Sequence, residues 1–188
     1  MSTTQYYVFS DPISLTHKDG SPALEPASAQ LACDGKQLVF IAKMTDSDIR
    51  NSAEANNVKT WLTGDVIELF FQPPGREDYY EFHVTPEGRT LQLHLPNGPR
   101  ALTDPFESMI CETGFRSSAQ IGNGWWTVRM EVPLAALRTS VAAGGRFIAA
   151  RHNYNRQWPK PDVTVSAPLA GTIHHPEEWP ILKEIDRK

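Results

Sequence analysis

Apolar and polar residues alternate with a period of two along most of the chain, and that period predicts β-strands. In 29–46, AQLACDGKQLVFIAKMTD, Leu31 and Cys33 point one way, Asp34-Gly35 supplies a tight turn, and Leu38, Phe40, Ala42 and Met44 return on the same side. Residues 64–96, GDVIELFFQPPGREDYYEFHVTPEGRTLQLHLP, read as three further strands. The first puts Ile67, Leu69 and Phe71 on one face and Val66, Glu68 and Phe70 on the other. The second puts Tyr80, Phe82 and Val84 inward and Tyr79, Glu81 and His83 outward. Taking Thr85–Gly88 as a four-residue turn, the third puts Leu91, Leu93 and Leu95 inward and sets Gln92 opposite Glu81 and His94 opposite Tyr79.

The stretch 108–133 reads as strand, strand, a Gly122-Asn123-Gly124 turn and strand, with Trp126, Val128, Met130 and Val132 forming its apolar line. Residues 145–155 give another strand, 156–171 a loop carrying Trp158, and 181–185 a closing strand. Gln5 to Phe9 suits an edge strand, 11–27 is broken by Pro and Gly, and 47–64 is a polar loop with a helical turn that ends at Trp61. Some ten strands and no long amphipathic helix predict one all-β domain over 1–188. Its architecture would be an antiparallel sandwich, of jelly-roll or immunoglobulin-like type, with short helical turns in its loops.

Composition narrows the function classes. The 188 residues suffice for a core without staples. A formal charge of −4 and no basic cluster argue against nucleic acid. No apolar run is long enough to cross a membrane. The first residues carry neither a basic nor an apolar leader segment, which predicts the cytoplasm for a complete chain and secretion for one excised from a longer precursor. Cys33 and Cys111 have no zinc-type spacing and read as buried thiols.

The outward face of 64–96 is the unusual feature, since it gathers Glu68, Glu81, His83, Gln92 and His94. A pyranose ring has an apolar C–H face and a fringe of hydroxyls. An aromatic platform covers the first, and carboxylates, amides and imidazoles satisfy the second. Trp61 is the candidate platform. Arg151, His152, Asn153, Tyr154 and Asn155, where a strand leaves the core, are candidates for the opposite wall, with Arg151 as the donor, and Trp158 is a candidate for a second aromatic.

Five segments, taken in order, resemble the family 9 carbohydrate-binding modules: KQLVFIAKMTDSDI, TWLTGDVIELFF, YYEFHVTPEG, GWWTVRMEVPLAAL and HHPEEWPILKE. The resemblance implies a β-sandwich that binds mono-, oligo- or polysaccharide without catalysis. It implies that Trp61 stacks on the sugar and that Glu68 hydrogen-bonds it, and it puts His83 where family members carry an arginine. The family's second tryptophan falls before the closing proline. Here that segment is Thr172-Ile173-His174-His175, which leaves Trp158 or Trp179 as substitutes and Trp179 as the better match to a core aromatic. A structural calcium ion is associated with the family, with Asp46 and Asp48 as loop acids for it.

Other classes remain. Glu68, Glu81 and His83 have the chemistry of a glycosidase, lyase or isomerase, although no nucleophile motif is present. Glu81, His83 and His94, or His174 with His175, are the residues to which a metal would turn, without a specific spacing. Met44 or Met130 would serve a haem but reads as core. A fold retained after its site has decayed is the remaining alternative, and so is a merely solvated sheet face.

Overall fold

The computed structural model describes the backbone of Tyr7–Val8 and residues 12–183. The strands in chain order are β1 (Tyr7–Val8), β2 (Ile13–Ser14), β3 (Ala27–Cys33), β4 (Gln37–Thr45), β5 (Val66–Gln72), β6 (Tyr79–Val84), β7 (Thr90–Leu95), β8 (Arg116–Gly122), β9 (Trp125–Pro133), β10 (Arg146–Asn153) and β11 (Asp162–Val165). One helical turn, α1 (Phe106–Met109), and four 3-10 turns complete the regular structure of the described residues. Six strands form one sheet in the order β1-β3-β4-β9-β8, with β2 also on β3, and five form the other in the order β11-β10-β5-β6-β7. All pairings are antiparallel, as an all-β sandwich requires.

Period-two alternation builds the layer between the sheets. Phe40 and Met44 of β4 and Trp126 and Met130 of β9 meet Leu69 and Phe71 of β5 and Phe82 of β6, all fully buried. The outer side of the five-stranded sheet is also covered. Phe70, Tyr79, Leu91, Leu93, Ile148 and Trp179 form a second apolar cluster there. The turn Gly98–Thr103, α1 and the 167–179 segment roof it. The face read as outward is therefore largely covered, and every residue of β6 is buried.

Several expectations are corrected. The 108–115 stretch holds no strand: Phe106–Met109 is a helical turn, and Ile110 makes one bridge to Leu93. The 156–171 segment is not all loop, because β11 lies within it and pairs with β10. Near the C-terminus Ile181 makes one bridge to Arg146 and residues 182 and 183 are not strand, while residues 184 and 185 of the expected closing strand lie outside the described residues, as do Gln5, Tyr6 and Phe9 of the first.

The β6–β7 register is one residue off the expected one. Thr85 pairs with Arg89, its N–H donating to the Arg89 carbonyl at 2.9 Å, so the loop is the three residues Pro86-Glu87-Gly88. Gly88 holds φ +81°, the left-handed position such loops need. Glu81 then faces Leu93, and Gln92 faces Phe82. A slip of one residue exchanges the faces of the whole strand. Replacing Gly88 by alanine forces a Cβ into the left-handed region, which costs about 1 kcal/mol and lowers Tm by about 2–4 °C. An unchanged melting curve would overturn the three-residue loop.

Candidate functional site

A cavity of about 370 Å³ opens in the roof over the outer face of the five-stranded sheet. Glu68 of β5, Glu81 and His83 of β6 and His152 of β10 reach it from the sheet. Trp61, Phe106, Met109, Ile173 and His174 line it from the roof. Each sheet residue arrives there by alternation: 68 and 70, 79, 81 and 83, and 148, 150 and 152 all point outward.

Trp61 sits in the 3-10 turn Thr60–Leu62, its ring centroid 5.5 Å from that of His83 and 6.1 Å from that of Phe106. The turn is fixed on several sides. The Tyr154 hydroxyl donates to the Trp61 carbonyl at 2.6 Å, and Asn51 Nδ2 donates to the Thr60 carbonyl at 2.9 Å. At the entry to β5, Asp65 accepts backbone N–H bonds from Arg50 and Tyr154, each at 2.6 Å. Gly64 precedes it at φ +148°, where a Cβ would lie 2.4 Å from the Arg50 carbonyl oxygen. Only glycine lets the loop and the strand approach so closely.

The polar floor is a chain of contacts. His83 Nδ1 stands 3.3 Å from Glu68 Oε1, and Nε2 stands 3.3 Å from Glu81 Oε2. Thr60 Oγ1 also lies 3.2 Å from His83 Nδ1. Glu81 Oε1 is 3.4 Å from His174 Nδ1, which lies 2.8 Å from the Tyr79 hydroxyl. His152 Nε2 approaches Glu68 at 3.8 Å. Glu68 and Glu81 are each 3% exposed and His83 is 1% exposed.

Burial sets their charge. Desolvation pushes both carboxyls up to about 7, with His83 pulling Glu68 down and His174 pulling Glu81 down. The same desolvation lowers His83 and His174 and takes His152 to about 4. Burial also raises Tyr79, whose hydroxyl keeps its proton. The imidazoles are thus neutral at pH 7, and the carboxyls stand near half-protonation.

Of the sequence candidates, the fold gathers Trp61, Glu68, Glu81 and His83 at this cavity and sends Gln92, His94, Arg151 and Trp158 elsewhere. Gln92 lies on the opposite side of the sheet, where its Oε1 accepts from Thr113 Oγ1 at 2.6 Å. His94 stacks on Tyr80 at 4.4 Å and bonds Asp78 at 2.7 Å. Both were displaced by the register. Arg151 points between the sheets to Asp46 and is 1% exposed, so it is framework and no wall of the cleft. Trp158 lies in the loop after β10 and does not line the cavity. Trp179 is core, its Nε1 donating to the Ile173 carbonyl at 2.7 Å.

Phe106 is the addition, His152 is the member of the 151–155 group that lines the cavity, and His174 is drawn in from its expected metal role. Counting by twos from Phe147, which packs between the sheets, puts Arg151 inside and His152 at the site. Phe106 carried no such signal.

Metal readings do not fit. His94 is on the wrong face for Glu81 and His83, and His175 turns to Glu177 at 2.9 Å. Asp46 already faces Arg151 and Trp126, and Asp48 is gripped by Arg156 at 2.5 Å, which leaves neither acid free for calcium. Met44 and Met130 are fully buried in the core. Among the described residues no group of three His, Cys, Asp or Glu is arranged around one ion, and no helix is long and apolar enough to cross a membrane.

No family model and no curated protein matches this chain. Solved structures do. A candidate carbohydrate-binding protein from Bacteroides uniformis ATCC 8492 is 17% identical, with a TM-score of 0.68 over 94% of this chain and 84% of that one. A family 9 carbohydrate-binding module from Caldicellulosiruptor kristjanssonii, solved with glucose, is 11% identical, with a TM-score of 0.67 over 94% of this chain and 86% of that one. A family 9 module from the same organism, solved with cellotriose, is 10% identical, with a TM-score of 0.57 over 82% and 71% of the two chains. The fold is that of the family 9 carbohydrate-binding modules. On this family 9 frame the cavity lies over the outer face of the five-stranded sheet, and Trp61 and Glu68, the two residues that the sequence resemblance singled out, both line it.

Proposed function

We propose that the protein binds carbohydrate in the cavity beside Trp61. One observation carries this reading: Glu81 Oε1, buried at the floor, has no hydrogen-bond partner among the described residues. A buried acceptor without a donor is costly, and a ligand hydroxyl would satisfy it. Trp61 and Phe106 offer the apolar surface that a sugar's C–H face requires, and Glu68, His83 and His152 offer further acceptors and donors. The fold supports the reading, because its solved neighbours include modules in complex with glucose and with cellotriose. The cavity is at the small end of ligand pockets, which suits one or two sugar units at a time.

The test is a glycan-array screen of the purified protein with Trp61→Ala beside it. The expected result is binding to at least one glycan, weakened about tenfold or more in the variant, equivalent to about 1.4 kcal/mol. A folded protein that binds no glycan would overturn the proposal, and binding indifferent to Trp61 would move the site elsewhere.

A further inference from the structure

The outer face of the five-stranded sheet continues past the Trp61 cavity into a second one, of about 710 Å³, and His152 and Ile173 line both. The strand register joins their floors. His83 of β6 pairs with Glu68 of β5, Glu68 with Ala150 of β10, and Ala150 with Val165 of β11. These four residues form one row across the sheet, three interstrand steps or about 14 Å long. Its polar half, His83 and Glu68, lies under the Trp61 cavity, and its apolar half, Ala150 and Val165, lies under the second one.

The chemistry changes along that row. In the second cavity Ala150, Val165 and Leu169 are buried in the floor, and Ile173 packs beside them. Among the described residues it presents no Trp, Tyr or Phe to stack on a sugar, and none of its lining side chains holds a buried polar atom without a partner. A pyranose seated there would bury hydroxyls with little to bond, which is costly. An apolar group fits it. The rim is charged. Lys18 and Lys160 are exposed and form no ion pair among the described residues. The acids at the same rim are turned to groups of the chain itself. Asp162 Oδ1 lies 2.5 Å from His17 Nε2, and its Oδ2 accepts from the Leu24 N–H at 2.9 Å. Asp19 Oδ1 accepts from the Ser21 N–H at 2.9 Å and from the Ser21 hydroxyl at 2.6 Å. The donors left open at this end are the two ammonium groups.

We propose that the ligand is a glycoside whose aglycone is apolar with an anionic tip. The sugar lies at Trp61, the glycosidic bond passes His152, the body of the aglycone covers Ala150 and Val165, and its anionic group meets Lys18 and Lys160. This rests on the reading that the Trp61 cavity binds sugar. A pyranose ring alone is shorter than the row and leaves its apolar half uncovered.

The test is isothermal titration calorimetry of the purified protein with methyl, phenyl and 4-carboxyphenyl glycosides, in both anomers, of D-glucose, D-galactose, D-mannose, D-xylose and N-acetyl-D-glucosamine, and with 4-hydroxybenzoate as the free aglycone. For the sugar that binds, the phenyl glycoside is expected to bind about tenfold tighter than the methyl glycoside, because its ring leaves water for an apolar floor. The 4-carboxyphenyl glycoside should gain about a further fivefold at low salt, and that gain should vanish at high salt and in Lys18→Ala/Lys160→Ala. Val163→Glu, at an exposed position lining the second cavity, should weaken the aryl glycosides and leave the methyl glycosides unchanged. Methyl glycosides that bind as tightly as aryl ones, or an aryl gain that Val163→Glu does not move, would overturn the aglycone site and leave the sugar reading standing. A carboxylate gain that survives the loss of both lysines would overturn its anionic end. Binding of 4-hydroxybenzoate as tight as that of its glycosides, with no binding of methyl glycosides, would overturn the sugar reading and the glycoside with it.

Discussion

Arg151→Met is expected to destabilise the protein by about 3–5 kcal/mol, measured by denaturant unfolding, without touching the cavity beside Trp61. Arg151 and Asp46 are each 1% exposed. The guanidinium donates to the Thr45 carbonyl at 2.8 Å, to Asp46 at 3.1 Å and to the Glu25 carbonyl at 3.2 Å. These bonds tie the end of β4 and the 25–26 segment to β10, across the two sheets. Desolvation raises Asp46 even with Arg151 and the Trp126 indole beside it. Losing the arginine leaves that carboxylate buried and unpaired. A buried pair broken on one side costs more than the pair ever contributes. The double variant Arg151→Met/Asp46→Asn should therefore recover a good part of the loss, because the amide still accepts from Trp126 and carries no charge. A single variant of normal stability but weakened glycan binding would return Arg151 to the cleft.

The misplacement of Arg151 shows what the sequence could reveal. The alternation of β4, β5, β6 and β9 was clear because large apolar residues mark one face without a break. That sufficed for the sandwich and for bringing Glu68, Glu81 and His83 to one side. In β10, which reads RFIAARHN, residues 147–150 are apolar on both faces, so alternation places the arginine only once the side of Phe147 is known. Its charge reads as exposed, and only the partner Asp46, 105 residues away, makes burial tolerable. Gln92 and His94 failed for a different reason. Their face depends on one residue of loop length, and the left-handed Gly88 that fixes it is compatible with several loops until the pairing is seen. The roof was least legible. Phe106, Ile173 and His174 come from irregular segments whose chemistry has no period, so the sequence showed a polar sheet face where the fold has a buried floor.

That burial has a thermodynamic signature, which Glu81→Gln isolates. Glu81 stands at about 7 in the folded protein and near 4.5 in the unfolded chain. Below pH 4.5 both states hold the proton and the residue has no pH-linked effect. Between pH 4.5 and 7 the unfolded chain releases its proton while the folded protein keeps it, so stability falls as pH rises. Above pH 7 the penalty is complete, about 3 kcal/mol at one unit per 1.36 kcal/mol. Glutamine keeps the shape and an acceptor but never ionises. Glu81→Gln is therefore expected to be more stable than the parent by up to about 3 kcal/mol at pH 8 and equal to it at pH 4, measured by unfolding at both pH values. The groups facing Glu81 are His83 and Tyr79 on its own strand and His174 from the roof, with Glu68 and His152 beyond the His83 ring. The lowered imidazoles act in the opposite sense, destabilising the fold as pH falls, but they are present in both proteins and cancel in the difference. A gain that did not depend on pH would mean that Glu81 ionises in the fold as it does in water. It would then hold no proton at pH 7, and burial would not be what sets its charge.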